Sequence, residues 1–146
     1  MPDKVLAFYI RLSSEDRDLK TNALNESNSV FNQRRLLQDY YDTHKSLHGY
    51  KVIVCCDDGV TGTHFDRPKF DELIEMARNQ EIHCIMVKDL SRFGRNFLEM
   101  GNSLELILPL YGVRFISIND AFDSDDYLGV TGGLELALRN LINNMY

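Results

Sequence analysis

Three short stretches carry side chains able to do chemistry. They are "YIRLSS" with Arg11, Ser13 and Ser14, "DDGVTGTHFDRP" with Asp57, Asp58 and Arg67, and "KDLSRFGRN" with Lys88, Arg92 and Arg95. Arg92 and Arg95 stand three apart, so on a helix they share a side. Free amides at a helix start favour an anion, and paired guanidiniums grip phosphate oxygens with a planar fork that lysine lacks. A serine hydroxyl becomes nucleophilic only beside a base or in a strongly positive field. No histidine accompanies the serines or the paired arginines, and no G-x-S-x-G elbow is present. Cations would therefore carry the activation, and a cluster of Arg11, Arg67, Arg92 and Arg95 would also stabilise charge on a phosphoryl transition state. That chemistry is phosphoryl transfer without a metal or other cofactor.

Each stretch also has a plain structural reading. Arg92 and Arg95 could decorate a solvated helix start. Gly59 and Gly62 could serve turn geometry, with Asp66 near a helix cap, and "GVTG" has the spacing of neither a P-loop nor a dinucleotide fingerprint. What favours function is placement, because all three stretches follow apolar runs that read as strands. On an extended chain Tyr9, Arg11 and Ser13 form one row, with Ser14 on the other side.

The elements behind these stretches alternate. "VLAFYIRL" is apolar at nearly every position, as in a strand buried on both faces. "TNALNESNS" reads as a loop and "VFNQRRLLQDYYDTHKSL" as a helix ended by Gly49. "KVIVCCDD" is a second strand. Pro68 suits a first helical position, Asp71 and Glu72 a first turn, and Phe70, Leu73, Ile74 and Ala77 repeat as one apolar face. "IHCIMVKD" is a third strand, followed by a helix from about Ser91 that stops near Pro109 to Gly112. "VRFISIN" is a fourth, "AFDSDDYLGVTGG" an acidic loop, and a last helix starts near Gly132. The pattern predicts an α/β fold: one three-layer domain with a mainly parallel sheet of four to five strands, whose ligand chemistry gathers at the strands' carboxyl ends.

At 146 residues the chain suits one domain. It shows no signal peptide and no membrane span, so a soluble, cytoplasmic protein is expected. Cys55, Cys56 and Cys84 lie in strand-like runs without metal-site spacing and read as reduced core thiols. His44 and His48, four apart, read as decoration of a helix end in preference to a metal pair. A formal net charge of −6 argues against nucleic acid unless the cations are concentrated in one place.

Together the three stretches resemble the catalytic domain of the serine recombinases, the resolvase/invertase family. "YIRLS" matches the family's tyrosine-x-arginine-x-serine opening, and "DDGVTGTHFDRP" and "KDLSRFGRN" follow in order. "NESNSVFNQRRLL" looks like the large serine recombinase and transposase branch of mobile elements. The resemblance places the nucleophile at Ser13 and implies catalytic roles for Arg11, Arg67, Arg92 and Arg95, with Asp58 and Gln33 as supporting polar groups. It implies attack on a DNA phosphodiester, a 5′-phosphoserine link, strand exchange between two double-stranded sites, and religation without ATP. It further implies a homodimer that becomes a tetramer in the synaptic complex, with no membrane or small-molecule partner. The family's short form usually has aspartate where this chain has Ser91, which leaves the general acid–base unassigned.

"GGLELALRNLINNMY" shows Leu134, Leu138, Leu141 and Met145 on one face, with Leu136 and Ile142 displaced from it. The excess apolar surface reads as a long interface helix. Residues 1–146 are then expected to be the catalytic part of a longer protein, whose C-terminal region would carry most of the DNA affinity. Two other classes remain open. One is an inactive recombinase-like module for oligomerisation or regulation, the other a metal-dependent phosphatase using Asp57 or Asp58.

Overall fold

A computed structural model of the chain describes residues 3–11, 22–57, 68–93, 101–130 and 132–145, excepting the side chains of 22–29, 106, 107 and 145. Four parallel strands make the frame: β1 (Lys4–Arg11), β2 (Tyr50–Asp57), β3 (Cys84–Val87) and β4 (Arg114–Ser117). A two-residue strand β5 (Phe122–Asp123) pairs antiparallel with β4, giving the order β2-β1-β3-β4-β5. The sheet matches the mainly parallel α/β expectation. The chain steps from β1 to β2 on one side and then crosses to β3 on the other. The switch in direction therefore lies between β1 and β3, and crevices for ligands open at the carboxyl ends of such strands.

β1 explains its own burial. Leu6, Ala7, Phe8, Tyr9 and Ile10 are all buried, because alternate side chains feed two separate cores. Leu6, Phe8 and Ile10 join Met86, Ile116 and Leu37, the last from α1 (Asn22–Thr43). Ala7 and Tyr9 join Phe70, Leu73 and Ala77 of α2 (Pro68–Arg78) and Leu90 and Phe93 of α3 (Leu90–Phe93). The same layer holds Leu104 from a π-helical segment (Gly101–Ile107), Leu108 from α4 (Leu108–Leu110), and Leu138 and Ile142 from α5 (Gly133–Met145). α2 begins at Pro68 and buries Phe70, Leu73 and Ala77, as its periodicity predicts.

Four expectations need correction. α1 starts at Asn22, so "NALNESNS" is helix, not loop; asparagine and serine are middling helix formers, and no glycine or proline interrupts residues 22–43. The same helix ends at Thr43, before Gly49, and a 3₁₀ turn over Lys45–Leu47 follows. The acidic stretch after β4 is β5 plus a 3₁₀ turn (Ser124–Tyr127), in which the Asp123 carboxylate accepts from the Asp125 amide at 3.0 Å. Cys56 is exposed on the edge strand β2, whereas Cys55 and Cys84 are buried.

The chain leaves α4 as expected. Gly112 sits at φ +69, and the Val113 amide reaches back to the Leu108 carbonyl at 2.9 Å. In α5, Ile142 belongs to the core face with Leu138, while Leu136 is the outward residue at 59% exposure. Among the described residues no helix is long and apolar enough to cross a membrane.

Candidate active site

β1 ends at Arg11, and the segment after β3 opens α3 with Arg92, so the two arginines meet at the β1/β3 switch point. The Arg11 guanidinium donates from Nε to the Arg92 carbonyl at 3.0 Å and from Nη2 to the Ser91 carbonyl. In return Arg92 donates from Nη1 to the Arg11 carbonyl at 2.9 Å. Gln33, buried on α1, donates to that same carbonyl at 3.2 Å from the opposite face of the sheet. Two of the residues singled out in the sequence, Arg92 and Gln33, thus converge on the backbone oxygen of a third, Arg11.

Carboxylates from elsewhere in the chain set the two helix starts. Asp57, 4% exposed at the end of β2, accepts from the Lys69 and Phe70 amides, each at 3.0 Å, and from the Tyr9 hydroxyl at 2.7 Å. It therefore caps α2, the role the sequence suggests for Asp66, which lies outside the described residues. Both Asp57 oxygens accept protein hydrogens, which removes the support for a phosphatase built on Asp57. Asp120, in the turn after β4, accepts from the Leu90 amide at 2.8 Å and from the Ser117 hydroxyl at 2.6 Å. Asp89 Oδ1 accepts from the Arg92 amide at 3.3 Å and from Ser91 Oγ at 2.5 Å. The Leu90 amide is thus taken by a side chain, and the Arg92 amide is shared between the Asp89 carbonyl at 3.1 Å and the Asp89 carboxylate. The expectation that free amides at this helix start would hold an anion is overturned for both.

Tyr9 shares a sheet face with Arg11, as the two-residue period predicts, but it does not border a phosphate site. Its ring is fully buried against Phe70 and Phe93, with centroids at 5.8 and 6.5 Å, and Asp57 satisfies its hydroxyl. Ser13, Asp58, Arg67 and Arg95 lie outside the described residues, as do Ser14 and His64. The described neighbours still bracket three of them. Asp58 follows Asp57, Arg67 precedes Pro68 at the start of α2, and Ser13 follows Arg11 by two residues.

Asp57, Asp89 and Asp120 are the residues sequence reasoning passed over as positioning groups. Asp89 alone had a local signal, an aspartate at the cap position three residues before the amide it accepts from. His44 and His48 occupy backbone-bonded positions: His44 Nδ1 lies 2.7 Å from the Tyr40 carbonyl and His48 Nε2 lies 2.9 Å from the Tyr41 carbonyl. Among the described residues no group of three or more His, Cys, Asp or Glu side chains is arranged to hold a metal ion.

A sequence profile described as the resolvase N-terminal domain matches residues 6–143. The N-terminal catalytic domain of TP901-1 integrase is similar at a TM-score of 0.70 and 25% identity, over 97% of this chain and 96% of that one. A resolvase family site-specific recombinase from Streptococcus pneumoniae matches at a TM-score of 0.65 and 22% identity, over 97% and 91%. The first open reading frame of transposon ISC1904 from Sulfolobus solfataricus P2 matches at 0.56 and 17%, over 97% and 98%. The latter two likenesses carry the fold alone. Among curated proteins none matches. A profile that reaches from β1 into α5 settles the assignment: the chain belongs to the resolvase family of serine site-specific recombinases, as its N-terminal domain.

Proposed function

We propose that residues 1–146 form the catalytic domain of a DNA recombinase in which Ser13 is the nucleophile. Arg11, Arg67, Arg92 and Arg95 act on the scissile phosphate, with Asp58 and Gln33 in support. The observation that carries this reading is the crossing of Arg11 and Arg92 at the switch point between β1 and β3, two residues from Ser13. Ser13 Oγ loses its proton and attacks phosphorus. The bond from phosphorus to the 3′-oxygen breaks, the 3′-oxygen takes up a proton, and the 5′-phosphate stays esterified to serine. Attack by a 3′-hydroxyl from the exchanged strand reverses these steps, so the ester conserves the bond and no nucleotide cofactor is consumed. With positive charge supplied by arginines, cleavage is expected to survive EDTA.

The partners in this reading are two double-stranded DNA sites and further copies of the chain, a dimer that pairs into a tetramer. Leu128, Val130 and Leu136 support assembly through the α5 region, being 72%, 57% and 59% exposed. Val130 and Leu136 also border a groove of about 650 Å³ between α5 and the segment before it. Apolar exposure of this kind marks interaction surfaces.

The test uses the full-length protein and a nicked duplex bearing its recombination site, mapped beforehand by sequencing the DNA it binds. The wild-type protein is expected to form a covalent adduct at the 5′-phosphate, and Ser13→Ala none. An adduct that survives Ser13→Ala, or no adduct from either protein, overturns the reading.

A further inference from the structure

We infer that Asp89 is a positioning residue for Arg92, holding its guanidinium in the orientation that phosphate chemistry requires. The inference rests on the reading above, in which Arg92 acts at the phosphate. Arg92 is 7% exposed, and a guanidinium taken that far from water needs a carboxylate nearby to offset its lost hydration. Asp89 supplies one: its Oδ2 lies 3.8 Å from Arg92 Nε, while its Oδ1 accepts the Arg92 amide at 3.3 Å. One oxygen thus takes a main-chain hydrogen bond, and the other stands as an ion-pair partner, beyond hydrogen-bond distance, to the side chain of the same residue. A simple cap needs the first contact and not the second.

Among the described residues, two further carboxylates at this end of the sheet serve other groups: Asp57 serves α2 and Tyr9, and Asp120 serves Leu90 and Ser117. Arg11, meanwhile, donates to backbone carbonyls at the start of α3. The arrangement sets a negative charge beside Arg92 Nε while the Arg11 carbonyl holds its Nη1. A guanidinium held this way loses less freedom when a phosphate arrives.

Ser91 shows where the carboxylate must lie. Its Oγ sits 2.5 Å from Asp89 Oδ1, so an aspartate at position 91, one bond longer, would set its carboxylate against the side chain at position 89. It can do so only if position 89 gives up its charge, since two carboxylates there would repel. That geometry makes the inference testable by moving the charge.

The experiment measures covalent cleavage of the nicked duplex by the full-length protein at saturating DNA, with DNA binding and thermal unfolding followed in parallel. Asp89→Asn keeps a good capping side chain and the side-chain shape. It is expected to lower cleavage on the order of a hundredfold, the cost of a misplaced reacting group, with DNA binding unchanged and the fold retained at a lower unfolding temperature, since the buried guanidinium loses its counter-charge. Asp89→Ser, another capping side chain without charge, carries the same expectation. The double variant Asp89→Asn/Ser91→Asp is expected to recover roughly tenfold or more of that loss, and Ser91→Asp alone to gain nothing. Wild-type cleavage by Asp89→Asn, or no recovery in the double variant, overturns the positioning role. Arg92→Ala separates the two claims. If it cleaves normally, the reading of Arg92 falls and the inference with it; if it is dead while Asp89→Asn is intact, the inference alone falls.

Discussion

Arg11 and Arg92 hold each other's backbone: the Arg11 side chain donates to the Arg92 carbonyl, and the Arg92 side chain donates to the Arg11 carbonyl. Two cations are thereby kept close although they repel, because each is anchored to the other's main chain. Charged donors contribute more than neutral ones, and a carbonyl left buried without its donor costs further. Arg11→Ala is expected to destabilise the domain by about 2 kcal/mol as well as abolish adduct formation. Urea denaturation reads the first effect and the nicked-duplex assay the second. Loss of cleavage with unchanged stability would show that the clasp contributes nothing to the fold.

The Tyr9–Asp57 contact joins two strands to the helix that follows Arg67. Removing the phenolic hydroxyl leaves Asp57 its two amide donors, so Tyr9→Phe should cost about 1 kcal/mol. Asp57→Ala strips a buried cap and orphans the tyrosine hydroxyl, with an expected loss of about 3 kcal/mol. Chemical denaturation of both variants checks the order. Equal losses would mean that the helix cap carries no weight.

Much of this was legible beforehand because it is local. An unbroken apolar run marks β1, and a helical period with proline at its head marks α2. The meeting of Arg11 with Arg92 follows from strand order once both are placed at carboxyl ends. What escaped depends on contacts across the chain. Asp57 caps a helix that begins eleven residues later, at Pro68, and Asp120 reaches back thirty residues to the Leu90 amide. No sequence window holds both partners. β5 was hidden for another reason: two residues carry no period, and its place is fixed by Asp123 meeting Arg114.

That second pairing is itself testable. Arg114 donates from Nε to Asp123 Oδ1 at 3.0 Å and from Nη2 to Oδ2 at 2.6 Å, with side chains 11% and 14% exposed. Asp125 adds a contact at 3.3 Å, and the Asp123 hydrogen bonds hold the Arg114 guanidinium in its charged form. Breaking a buried pair strands a charge, so Arg114→Ala should cost about 3 kcal/mol. Replacing both partners by apolar residues, Arg114→Met with Asp123→Leu, should cost less than the single change. A double variant as unstable as the sum of its singles would show that the two residues do not interact.

Cys84 gives the fold a dependence on alkaline pH. It is fully buried between β1 and β4, and burial pushes its thiol well above the ordinary cysteine value near 9, against a smaller lowering by Arg114. The raised value means that the folded state holds a proton the unfolded state releases. The contribution is complete below the unfolded value and is lost as pH climbs from there toward the folded one. Stability should therefore be level through neutral pH and fall once pH passes the ordinary thiol value, which sets the onset. Cys84→Ala removes the group. It is expected to be less stable at neutral pH because of the cavity it leaves, yet to lose less than the wild type between neutral and alkaline pH. Cys55 contributes equally to both proteins and cancels, whereas Tyr40 and Tyr50, raised mainly by burial, are also raised by Cys84, so that part of their contribution goes with the thiol. Urea midpoints across that range decide it, and parallel curves for the two proteins would remove Cys84 as the source.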